Sequence, residues 1–133
     1  MPITYLLAPE MIARTGYDER VDWWGLGIVA YELLYGKRPF MVQGRSESDL
    51  VKDREELYNV IANESPPFPK SKSRTPEAID FLRKLLEKSP DQRLSFSQIV
   101  ESPFMVEIDW NKLQRKALPP VFTPPTNLSL IHI

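Results

Sequence analysis

The chain has 133 residues, a formal charge of −1 and 42% hydrophobic residues. That suits a single globular unit with a real core and offers no basic face for a nucleic acid. It has no cysteine, which excludes disulfides and thiolate metal sites, and its single histidine, His132, argues against a His-based metal site or a Ser–His dyad.

Met1 to Arg20 is a series of short apolar stretches broken by Pro2, Pro9 and Gly16. It reads as loop with one helical turn after Pro9, without the basic region of a signal peptide. No run approaches the ~18–20 apolar residues of a membrane span, and an intracellular, cytoplasmic setting is expected. "DWWGLGIVAYELLYGKRPF" (22–40) follows. Asp22 is placed as the N-cap of a helix that ends at Gly36, with Pro39 preventing its resumption. Trp23 to Tyr35 holds one charge, Glu32, so the helix is expected to be buried all round. Gly25 and Gly27 inside it each point to a close neighbour, since a helical glycine costs ~1 kcal/mol against alanine.

"SESDLVKDREELYNVIAN" (46–63) is a charged surface helix whose stripe is Leu50, Leu57, Tyr58 and Ile61. The prolines of 66–69 make an extended loop that continues into the basic stretch 70–74. "TPEAIDFLRKLLEKS" starts with Thr75 as N-cap and Pro76 at the first helical position, and Ala78, Phe81, Leu82, Leu85 and Leu86 form its apolar stripe. Ser95 and Gln98 have the spacing of a capping box for a shorter helix. A single helical turn over Trp110–Leu113 precedes proline-rich extended chain. No strand is expected, and the fold class is mainly α.

Glycine-rich phosphate loops, metal-ligand clusters and nucleophile–base pairs are missing from these residues. Composition and periodicity alone leave a helical scaffold or adaptor. Four ordered motifs go further: "APE" (8–10), "DWWGLG" (22–27), "GKRPF" (36–40) and "SPDQRL" (89–94). Together they resemble the helical C-terminal lobe of eukaryotic protein kinases, from the end of the activation segment onward. Ile108–Trp110, Leu113 and Pro119–Phe122 resemble the junction into the C-terminal tail of the AGC group of serine/threonine kinases. The paired Trp23–Trp24 fits the same group. The implied division is a partial kinase domain at 1–105, the start of an AGC-type tail at 106–125, and an end at 126–133 that is disordered or foreign to the pattern.

The resemblance implies residue roles. Glu10 matches the glutamate that pairs with the arginine matched by Arg93, and a carboxylate and a guanidinium in apolar surroundings need each other. Asp22 matches the aspartate that accepts hydrogen bonds from the catalytic-loop backbone, or is an ordinary cap, and both can hold because a carboxylate has spare acceptor sites. Glu32 occupies the position of a glutamate that pairs with a substrate arginine, a directional and often bidentate contact, or is held by internal hydrogen bonds.

The family's ATP loop, strand lysine, helix glutamate, catalytic-loop aspartate and magnesium-binding aspartate have no match here. Leu6 stands where the family has an aromatic residue and Ile3 where it has a threonine. The expected function is thus that of a piece of a serine/threonine kinase. The parent uses ATP and Mg2+ on a protein substrate, while these 133 residues bind neither and supply architecture and substrate docking. Without the catalytic loop, one face of the central helix is expected to be uncovered, exposing an apolar patch. The alternative is a non-catalytic docking or decoy module presenting the 46–63 helix and the basic loop 70–74 to kinase partners or substrates.

Overall fold

The computed structural model describes residues 6–42 and 50–126, with the side chains of 50–52 outside that description. The described residues hold helices α1 (Pro9–Ala13), α2 (Arg20–Tyr35), α3 (Leu50–Asn63), α4 (Pro76–Leu85), α5 (Phe96–Val100) and α6 (Trp110–Gln114), a 3-10 turn at Pro103–Met105, and no strand. This is the helical architecture expected from the sequence. The expected start of α3 at 46 and the side chain of Leu50 lie outside the described residues, as do 127–133.

α2 is the element on which the others are assembled. One face carries Trp24, Gly27, Ile28 and Tyr31, all buried. Trp24 stacks on Phe40 with ring centroids 5.6 Å apart. Leu57 and Ile61 of α3, Leu82 of α4 and Leu86 complete that cluster. A second cluster joins Phe81, Leu85, Leu94 and Ile99, with Trp23 and Met105 against it.

Two expectations for α2 are corrected. Asp22 is not its N-cap. The Asp18 carboxylate accepts the Arg20 backbone N–H at 3.0 Å and the Asp18 carbonyl accepts that of Val21. This Asx-type turn starts the helix earlier, and Asp22 becomes its exposed third residue. Nor is α2 buried all round: Leu26, Val29 and Leu33 are 36%, 46% and 81% exposed. A helix apolar on every side does not specify which side is covered, and among the described residues nothing packs over this second face. An uncovered apolar face on the central helix is what the kinase resemblance implied.

The glycines divide likewise. A Cβ on Gly27 would sit 2.8 Å from Leu86 Cδ2 and 3.0 Å from Leu85 Cβ, so this glycine lets α4 approach closely. Gly25 has nothing within 4 Å, and no close neighbour accounts for it.

The local signals downstream perform as their chemistry requires. Thr75 Oγ1 accepts the Ala78 N–H at 3.2 Å, and Ala78, Phe81, Leu82, Leu85 and Leu86 are all buried. Ser95 and Gln98 form the full capping box. Asp109 caps α6 by accepting the Lys112 N–H. Between α3 and α4 the extended proline loop is tied down by side chains: Tyr31 donates to the Pro67 carbonyl at 2.6 Å and Tyr35 to that of Pro69 at 3.2 Å.

Candidate functional site

The turn 89–94 delivers Arg93 into the interior. Its backbone N–H reaches the Ser89 and Pro90 carbonyls, and the Leu94 N–H bonds to the Lys84 carbonyl. The guanidinium then meets Glu10 of α1 in a two-pronged pair, NH1 to Oε1 at 2.7 Å and NH2 to Oε2 at 3.0 Å. Both side chains are removed from solvent, Arg93 fully and Glu10 to 6% exposure.

The remaining donors are used as well. NH1 also reaches the Arg20 carbonyl at 2.9 Å, Nε that of Glu87 at 3.0 Å, and NH2 that of Lys88 at 3.3 Å. The guanidinium carbon lies 5.2 Å from the Trp24 ring centroid. A charge in this position is tolerable only because its donors are matched. Burial pushes the Glu10 carboxyl up, but the hydrogen bonds and charge of Arg93 outweigh it and hold the group below the usual glutamate range. The two residues lie 83 positions apart, so the pair ties α1 to the α4–α5 turn and the start of α2.

An outer network surrounds this one. Arg20 binds Asp18 at 2.9 Å and Asp91 at 2.7 Å. Those hydrogen bonds lower the Asp18 pKa and raise that of Arg20. These charges are exposed, and such pairs contribute little.

Lys88 makes buried contacts that sequence reading missed. Its ammonium donates to the Ile61 carbonyl in the last turn of α3 and lies 4.6 Å from the Phe40 ring centroid and 5.7 Å from that of Trp24. Burial lowers its pKa, partly countered by Glu64. A lysine in a polar turn carries no sequence signal for this role.

Asp22 and Glu32 do not join the buried pair. They lie ten positions apart on α2, about 15 Å along its axis. Asp22 heads the exposed line Leu26, Val29, Leu33, at helical spacing. Glu32 is half-buried, and neither carboxylate has a side-chain partner among the described residues. In the basic loop, Arg74 is committed internally: it donates to the Leu34 and Pro69 carbonyls and lies 4.8 Å from the centroid of Tyr35.

No three His, Asp or Glu side chains converge among the described residues, and the sequence holds no phosphate-binding glycine loop. Nor is any described helix long and apolar enough to cross a membrane.

Residues 3–105 match the protein kinase domain family. The chain is 39% identical to the RAC family serine/threonine-protein kinase homolog of Dictyostelium discoideum and 38% identical to the RAC-beta serine/threonine-protein kinase of Homo sapiens. It is 36% identical to atypical protein kinase C of Drosophila melanogaster. Each likeness covers 89% of this chain but 24%, 23% and 20% of the respective relative. The chain therefore spans less than a quarter of the length of these proteins.

Proposed function

The chain belongs to the protein kinase domain family, and from that premise we propose that it is the substrate-docking and architectural part of an AGC-type serine/threonine kinase. The parent enzyme transfers the γ-phosphoryl group of ATP, with Mg2+, to a hydroxyl of a protein substrate inside the cell. Such transfer depends on a lysine, metal ions and a catalytic aspartate placed around the phosphoryl group. The residues described here supply none of these, and no chemical step runs through them. Residues 106–125 are the start of the C-terminal tail.

The observation that carries this reading is the uncovered face of α2. An aspartate followed by Leu26, Val29 and Leu33 on one line offers a carboxylate for backbone amides and an apolar strip for packing, as expected of a surface that receives the catalytic loop. Asp22 is the acceptor for that loop's N–H groups. The Glu10–Arg93 pair fixes the turn beside it. Glu32 reads an arginine of the substrate: it has no partner among the described residues, which favours this role over that of an internally bonded glutamate.

The test has two arms. The 133-residue chain incubated with ATP, Mg2+ and a basic peptide is expected to transfer no phosphate; transfer abolished by replacing one of its own residues would refute the architectural role. In the parent kinase, Glu32→Gln removes a charge-assisted contact worth ~1.5–3 kcal/mol. A fall of ~10–100-fold in kcat/KM is expected on an arginine-bearing peptide, with no change on its alanine counterpart. Equal loss on both peptides would refute the substrate assignment.

A further inference from the structure

We propose that Arg74 is a positioning residue for substrate selection: it fixes the last turn of α2, from which Glu32 projects, an inference that rests on the arginine-reading role of Glu32. Pairing with the N–H fork of an arginine needs a carboxylate held at one place and angle. Glu32 sits in the last turn of α2 and is half-buried. The final turn of a helix frays most readily, because its carbonyls have no partner further along the helix. In α2 that turn carries no basic residue of its own.

Arg74 supplies the missing donor from 40 positions downstream. Its NH1 donates to the Leu34 carbonyl at 3.4 Å and its Nε to the Pro69 carbonyl at 3.3 Å, and its guanidinium carbon lies 4.8 Å from the Tyr35 ring centroid. A cation at this end of a helix also offsets the negative pole of the macrodipole. The Tyr35 hydroxyl donates to the same Pro69 carbonyl at 3.2 Å, so helix and loop share one acceptor. A tight turn aims the guanidinium: the Arg74 backbone N–H reaches the Ser71 carbonyl and hydroxyl, each at 3.2 Å.

Glu32 lies inside this frame. Tyr31, directly before it, donates to the Pro67 carbonyl at 2.6 Å and stacks on Tyr35 with ring centroids 4.4 Å apart. The Glu32 carbonyl accepts the Gly36 N–H at 2.8 Å, which closes the helix. The residue before Glu32 and those two and three after it are thus all bonded to the loop 67–74. Arg74 makes no ion pair with the Glu32 carboxylate among the described residues, so its influence runs through the helix backbone.

The experiment measures kcat and KM of the parent kinase on an arginine-bearing peptide and on its alanine counterpart, for wild type, Arg74→Gln, Glu32→Gln and the double variant. Arg74→Gln is expected to lower the ratio of kcat/KM between the two peptides by ~3–10-fold, about half of the Glu32 effect in free energy, and to do so through KM. A role confined to stability would lower both peptides alike and leave the ratio in place. In the Glu32→Gln background, Arg74→Gln should lower the ratio no further. Hydrogen exchange of the 133-residue chain gives a second measurement. Arg74→Gln should speed exchange of the Gly36 amide by ~5-fold and leave the Leu86 amide, which closes α4, unchanged. A ratio unchanged or raised in Arg74→Gln but lowered in Glu32→Gln would overturn the positioning role alone. A further fall in the double variant, or unaltered exchange at Gly36, would overturn it as well. A ratio unchanged in Glu32→Gln would overturn the arginine-reading role and the positioning role with it.

Discussion

Replacing Arg93 by methionine keeps much of its aliphatic volume against Trp24 but removes every donor. Glu10 is then left as a carboxylate at 6% exposure with no counter-charge, and breaking such a pair costs ~3–5 kcal/mol. The Arg20, Glu87 and Lys88 carbonyls lose their guanidinium donors too, at ~1 kcal/mol each where no water replaces them. Glu10→Gln is milder. The amide keeps the shape and one acceptor oxygen but leaves the buried guanidinium without its counter-charge, and the expected cost is ~3 kcal/mol, the low end for removing one partner of such a pair. In the double variant the orphaned carboxylate is gone, so it should be more stable than the sum of the single losses predicts, by ~2 kcal/mol. Urea denaturation of the four proteins at pH 7 measures this coupling. Additivity within ~0.5 kcal/mol would refute the reasoning, because it would mean that Glu10 and Arg93 stabilise the fold independently. The acid limb gives an orthogonal check. The Glu10 pKa is lower folded than unfolded, so its contribution is present above the ordinary glutamate value of ~4.3 and is lost as pH falls through the lower folded value. Glu10→Gln should flatten that limb.

Gly27→Ala should cost ~1–3 kcal/mol, because its Cβ would meet Leu86 Cδ2 at 2.8 Å and Leu85 Cβ at 3.0 Å. Gly25→Ala, with open space around it, should instead gain ~0.5–1 kcal/mol from helix propensity. Thermal melting that ranks the two the other way would show that the α2–α4 approach is not what requires Gly27. Tyr31→Phe removes the bond to the Pro67 carbonyl and should cost ~1 kcal/mol in denaturation at neutral pH. Burial raises the Tyr31 pKa, so its contribution is whole below the unfolded value of ~10 and is lost as pH rises through the higher folded value. A pH series of melting curves should show that alkaline loss diminished in the variant.

How far the sequence was legible depended on the distance over which each interaction acts. Thr75 with Ala78, and Ser95 with Gln98, satisfy their hydrogen bonds within three residues, so residue type and spacing determined them before any tertiary contact. The α4 stripe was legible for the same reason: 3.6-residue periodicity is written along the chain. Asp22 failed as a cap because Asp18, four residues earlier, competes for the first turn with its carboxylate on the Arg20 N–H.

The Glu10–Arg93 pair came from the order of motifs, since nothing local connects side chains 83 positions apart. By itself, the sequence determined that α2 is apolar, that Thr75 and Ser95 cap α4 and α5, and that the fold is helical. Only the tertiary structure decided which face of α2 is covered: uniform apolarity carries no direction, and the choice is made by Leu86 fitting against Gly27. Lys88 shows the same division, because its place between Phe40, Trp24 and the Ile61 carbonyl exists only once three distant segments meet.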